Sequence, residues 1–213
     1  MAKWLFRGKT GKELISLSLL ATSIGCSNPP RILEEKPIAE QVKNKSYKYV
    51  IKAIKTPEEA EKYLTEFLTY VSDSINYKKF DYIASFKKIN QKGRDDCDGG
   101  AIAAAATLKD DGYPPLYLRM YMHHPLFGPL LGHAVYPYQE NKNSGLWGSL
   151  GISEVDCKKP NFTSIKDLVK SFGFYLYDLV NLDELYSNWT EKSIGDGTKI
   201  RSRELKQVYV EED

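Results

Sequence analysis

Between Arg94 and Leu108 the chain reads Arg-Asp-Asp-Cys-Asp-Gly-Gly-Ala-Ile-Ala-Ala-Ala-Ala-Thr-Leu, a polar loop that runs into a small-residue segment with Cys97 at the junction. No other stretch restricts the fold as much. Alanine is the strongest helix former, and a helix carrying so little side chain must lie close against another element. Asp95 or Asp96 supplies the N-cap. The first turn of a helix offers unpaired N–H groups and the positive end of the macrodipole, both of which favour a thiolate. Cys97 is therefore a candidate nucleophile. A lone cysteine in an alanine-rich helix is also commonly a small buried hydrophobe. A histidine base elsewhere, with a polar residue to orient its ring, would separate the two readings.

Of the 213 residues 42% are hydrophobic, enough for a buried core, and one domain is the default. The formal charge is +2, but Lys3, Arg7, Lys9 and Lys12 against Glu13 place +3 in the first 25 residues, leaving −1 for the remainder. That balance indicates no basic face for nucleic acid, and no nucleic-acid partner is expected.

The basic start is followed by an apolar run, Leu14 to Cys26, too short to span a bilayer comfortably and suited to a signal segment. Its ending, Ser23-Ile24-Gly25-Cys26, resembles the lipobox of bacterial lipoproteins, departing from it at Ser23. The resemblance implies a signal over 1–25, lipidation of Cys26, and an exported protein held at the cell envelope by a lipid anchor. Residues 26–45, with Pro29, Pro30 and Pro37, read as a tether, and 46–213 as the domain. Cys97 and Cys157 are then the remaining cysteines, and Cys157, in a polar loop-like stretch, reads as a spare thiol rather than a disulfide partner.

Along the domain, Tyr47–Ile54 suggests a short strand. Thr56-Pro57-Glu58-Glu59 opens a helix whose apolar face runs from Ala60 through Tyr63, Leu64, Phe67, Leu68 and Val71 to Ile75. A helical turn is expected around Ile83–Phe86. Gln91, six positions before Cys97, is a candidate oxyanion donor. The Cys97 helix should end near Gly112. Leu116–Met122 suits a strand, 123–131 a loop, Gly132–Tyr138 a second strand and Leu146–Ile152 a third, giving a small antiparallel sheet. Ser164–Phe172 reads as a capped helix, Asp178–Trp189 as another, and Val208–Val210 as an edge strand or tail.

The chain has three histidines, His123, His124 and His133. His133 opens a strand behind a glycine, a suitable place for a base facing a helix N-terminus. His123 and His124 read as exposed loop residues with no acidic or thiol ligand set at suitable spacing around them, so neither a metal nor a cofactor is expected.

The order of leading helix, cysteine-led helix, strand, histidine-led strand and third strand resembles the transglutaminase-like cysteine peptidase superfamily, papain-like in its catalytic logic. The pieces that carry it are Asp96-Cys97-Asp98-Gly99-Gly100-Ala101, Leu108 through Pro114, Gly132-His133-Ala134-Val135 and Leu146-Trp147-Gly148, within about residues 56 to 155. The resemblance implies an α+β fold, with the cysteine helix packed on a small antiparallel sheet and flanked by helices. It also implies a Cys97–His133 pair completed by an acid on the third strand. The position where that acid commonly stands is Gly151. Ser149 and Ser153 share its strand face, and Asp156 could reach back from the loop; Ser153 is preferred, because a subset of bacterial relatives keeps a serine there.

Two functions compete. One is a cell-envelope cysteine hydrolase, a peptidase or amidase, that cleaves a peptide or isopeptide amide through an acyl-enzyme thioester, with water as acceptor and the protein acting as a monomer. The other is a non-catalytic binding or assembly module with a lapsed third position, using Pro125–Leu131 as its contact surface. Acetyl transfer would need a coenzyme site, and the sequence shows none.

Overall fold

The computed structural model describes residues 37–124, 128–174 and 176–197. The expected signal, Cys26, most of the tether, Pro125–Phe127 and Val208–Val210 lie outside them. Helices α1 (Ile38–Val42), α2 (Tyr47–Ala53) and α3 (Pro57–Phe67) come first. The stretch expected to be a strand is thus α2, started by Ser46, whose side chain accepts the Tyr49 N–H. Helix α3 opens as expected, with Thr56 and Glu59 in a capping box and Pro57 in the first turn. It stops well short of Ile75. The chain turns instead into β1 (Thr69–Tyr70) and a short α4 (Asp73–Asn76), which leaves Ile75 66% exposed.

Strand β2 (Tyr82–Ile83), helix α5 (Phe86–Lys92) and strand β3 (Arg94–Asp95) lead to α6 (Cys97–Leu108). β1 pairs in parallel with β3, setting Tyr70 beside Asp95. Asp96 caps α6, its side chain accepting the Asp98 N–H. From Ala101 to Leu108 the helix is fully buried, as its alanines require. A 3-10 turn, Lys109–Asp111, closes it at Gly112, whose φ of +87° is the left-handed conformation that favours glycine.

Strands β4 (Leu116–His124), β5 (Gly128–Gln139), β6 (Trp147–Leu150), β7 (Lys158–Phe162) and β8 (Leu176–Asn181) form one antiparallel sheet in the order β7-β6-β5-β4-β8. β4 and β5 extend into most of the stretch expected as a loop. β8 occupies part of the expected helix from Asp178, because its alternating pattern pairs with β4. Helix α7 (Ile165–Ser171) precedes β8; α8 (Leu182–Leu185) and β9 (Gly195–Asp196), which pairs with β2, follow.

Alternation along β4 divides the core. Tyr117 joins α3, α5 and α6 in the main cluster, while Leu118 and Met120 join Val135, Ile165, Leu168 and Val169 of β5 and α7 in the second. The architecture is α+β. The cysteine-bearing helix lies on one sheet face and α7 on the other. No helix among the described residues is long and apolar enough to cross a membrane.

Candidate active site

Cys97 is half-buried at the first position of α6, and the Ala134 N–H of β5 is the nearby group that favours its thiolate. Burial, and then the charges of Asp98 and Asp96, push the thiol well above its usual value; the Ala134 N–H works the other way and Asp156 adds to the rise. The resting group is therefore a thiol. The thiolate expected from the helix terminus is corrected here, because carboxylates on either side of the cysteine oppose the macrodipole in a poorly hydrated place.

His133 sits beside Ala134, at a break in strand register: Met120 pairs with His133 but Tyr121 with Leu131, so Gly132 is the extra residue of a β-bulge. Bulges re-aim side chains. Glycine is needed there, since a Cβ on Gly132 would fall 2.2 Å from the Phe174 ring. The ring of Phe172 lies 5.9 Å from the His133 imidazole. His133 Nε2 is 2.7 Å from Asp156 Oδ1. With Nε2–H donating to the carboxylate, Nδ1 is the nitrogen free to accept a proton.

Asp156, not Ser153, is thus the partner of His133. It closes a 3-10 turn, Glu154–Asp156, that starts at Ser153: the Asp156 N–H donates to the Ser153 carbonyl at 3.0 Å, and the Ser153 N–H donates to Asp156 Oδ2 at 3.3 Å. Ser149 Oγ donates to the Asp156 carbonyl at 2.7 Å, and Cys157 Sγ to the Gly151 carbonyl at 3.5 Å. Both serines considered for the third role bond to Asp156. Burial alone would push Asp156 up, but the hydrogen bond and charge of His133, with the Ser153 donors, hold it below the usual carboxylate range. A serine hydroxyl has no comparable charge with which to favour an imidazolium. Asp156 thus brings a carboxylate to His133 from the turn after the strand, where Gly151 offers none. Cys97 and Cys157 are both free thiols.

Gln91 is elsewhere. It is exposed on the last turn of α5 and lines an open groove whose described lining includes neither Cys97 nor His133. The residue that sequence reasoning missed is Tyr70, 58% exposed on β1 and paired with Asp95 two residues before Cys97. Partial burial raises its hydroxyl, and the charges of Cys97, Asp96 and Asp156 raise it further. It falls within the stretch that the sequence predicts as one continuous helix to Ile75.

Behind the cysteine lies a set of acids. One oxygen from each of Asp73, Asp96 and Asp98 falls within 4.8 Å of the others, and these hard donors are the described residues that could hold a metal ion. They already have protein partners: the Tyr82 N–H reaches Asp73, Tyr117 OH bonds Asp98, and Arg119 lies 3.8 Å from Asp98 and 3.1 Å from Asp81. Tyr77 OH donates to Asp95 at 2.6 Å. Burial is the leading cause that pushes Asp73 up to about 6 and Asp95, Asp96 and Asp98 up to about 7.

Scans against protein-family models and curated proteins return no match to this chain.

Proposed function

We propose that the chain is a cysteine hydrolase of the transglutaminase-like, papain-like type, cleaving a peptide or isopeptide amide with Cys97, His133 and Asp156. The observation that carries this reading is the 2.7 Å contact between Asp156 and His133, which stands at a bulge of the strand against which the Cys97 helix packs. His133 Nδ1 takes the thiol proton as sulfur attacks the carbonyl carbon, and returns it to the departing amine as the C–N bond breaks. Asp156 holds the ring orientation and stabilises the imidazolium. The Cys97 N–H at the helix start and the Tyr70 hydroxyl are the donors available to the oxyanion. Water, deprotonated by His133, then attacks the thioester carbon and releases the acid and the thiol. An exported, lipid-anchored protein acting as a monomer on envelope peptides or proteins remains the setting that the N-terminal signal favours.

The test is cleavage of a mixed-sequence peptide library read by mass spectrometry, with intact-protein mass used to find an acyl adduct on Cys97. Cleavage that is abolished by Cys97→Ser and slowed by Asp156→Ala is expected. Cleavage unaffected by Cys97→Ser would overturn the proposal.

A further inference from the structure

On the far side of α5 from its buried face, the connection between α1 and α2 and the exposed face of α5 enclose an open groove of about 590 Å³. Lys43 and Lys45 stand on one wall and Lys87 and Lys92 on the other, all four exposed. Among the described residues, none that lines it is acidic. Four lysines lining one concavity stand out in a chain whose charge beyond the first 25 residues is −1, although the Lys45 ammonium leans over Tyr49.

The walls are held in place. Asn90, 8% exposed, donates from Nδ2 to the Lys45 carbonyl at 3.0 Å and accepts the Tyr63 hydroxyl on Oδ1. Lys92 Nζ bonds Asn76, and Lys92 also stacks over Tyr77, so that wall continues toward Asp95 and the cysteine loop. Glu191 approaches the Lys87 side, but it already accepts from Tyr47 and lies 3.6 Å from Lys48. Phe67 and Gln91 supply an aromatic face and a free amide.

We propose that this groove is an exosite for an acidic segment of the substrate polypeptide. The inference rests on the reading of the chain as a peptide-bond hydrolase. An extended chain fits better than a bilayer surface, because the lysines line a concavity rather than a flat face, and amides such as Gln91 can pair with a peptide backbone. Long-range attraction between lysines and carboxylates raises the encounter rate and falls as salt screens it.

The experiment uses the full chain and a fluorescein-labelled oligoglutamate peptide, read by fluorescence anisotropy. Binding is expected to weaken as sodium chloride rises, and to weaken by about tenfold in Lys43→Glu/Lys87→Glu. The exposed pair Lys62→Glu/Lys159→Glu, with the same charge change outside the groove, should bind as the parent does. Circular dichroism checks that both variants fold. Cys97→Ser should bind the peptide unchanged, which separates this test from that of the hydrolase reading. Equal loss in both double variants would reduce the effect to net charge and overturn the exosite. So would oligoglutamate binding that ignores the groove substitutions while sedimentation with phosphatidylglycerol vesicles depends on them.

Discussion

A Cβ placed on Gly151 would lie 2.5 Å from the Cβ of Asp156, and 2.9 Å from its Oδ2. The carboxylate that faces His133 fills the space that a side chain at position 151 would need. Gly151→Ala should therefore displace Asp156, cost about 1–3 kcal/mol of stability and reduce turnover. Asp156→Ala should lower kcat by about a hundredfold or more. The paired change Gly151→Asp with Asp156→Gly moves the acid onto the strand end and should recover part of that loss. Steady-state kinetics on one cleavable peptide would measure all three, and a Gly151→Ala enzyme with full kcat would contradict the relationship.

The charge on Asp96 opposes ionisation of the neighbouring thiol. Asn retains the capping function that Asp96 provides, so Asp96→Asn should lower the pH at which Cys97 becomes reactive while the helix stays capped. Iodoacetamide labelling of Cys97, followed across pH by peptide mass mapping, reports this directly. A midpoint that does not move, or moves upward, would remove Asp96 from the control of the thiol.

Tyr70 is exposed on β1 beside Asp95, two residues before Cys97, and burial and nearby charges raise its hydroxyl. If the phenol donates to the oxyanion, Tyr70→Phe should reduce kcat by about ten- to a hundredfold, with KM little changed. A change confined to KM would assign Tyr70 to ground-state binding.

Stability should depend on pH with an unusual sign. Asp73, at about 6, and Asp95, Asp96 and Asp98, at about 7, all lie above the unfolded value of 3.8. The folded protein consequently holds more protons than the unfolded chain between about pH 4 and 7, and stability falls as pH rises through that interval. Asp156, held low, contributes the opposite sign only below about pH 4, where its charge is lost. Calorimetry in metal-free buffer should show Tm lower by several degrees at pH 8 than at pH 5; a Tm that climbs over this range would refute the raised proton affinity of these buried acids.

The sequence made the Cys97 helix legible because alanine propensity, an Asp cap and Gly112 all agree locally. The three strands after it were legible through their apolar and aromatic runs. Tyr47–Ile54 reads as a strand because its tyrosines, Val50 and Ile51 suit a strand as well as a helix, and it is the Ser46 cap that starts a helix there. The stripe to Ile75 was misleading: the pairing of Tyr70 with Asp95 breaks the helix, and nothing near Tyr70 announces it. β8 owes its form to β4, a long-range partner. At the site, Cys97 and His133 could be found from residue type and order. Asp156 was one candidate among three, since whether a turn folds back to the strand depends on the bonds that Ser149 and Ser153 make to Asp156.

The buried run from Ala101 to Ala106 also has a mechanical meaning. Alanine side chains have no rotamers to adjust, so the distance from α6 to β5 is set by nearly incompressible backbone-to-backbone packing. The thiol and the strand that bears the histidine behave as fixed points on one rigid frame, and the adjustable member is the short turn that carries Asp156. An added methyl group deep in α6, far from any reacting atom, would be transmitted along the helix axis as a misalignment at Cys97.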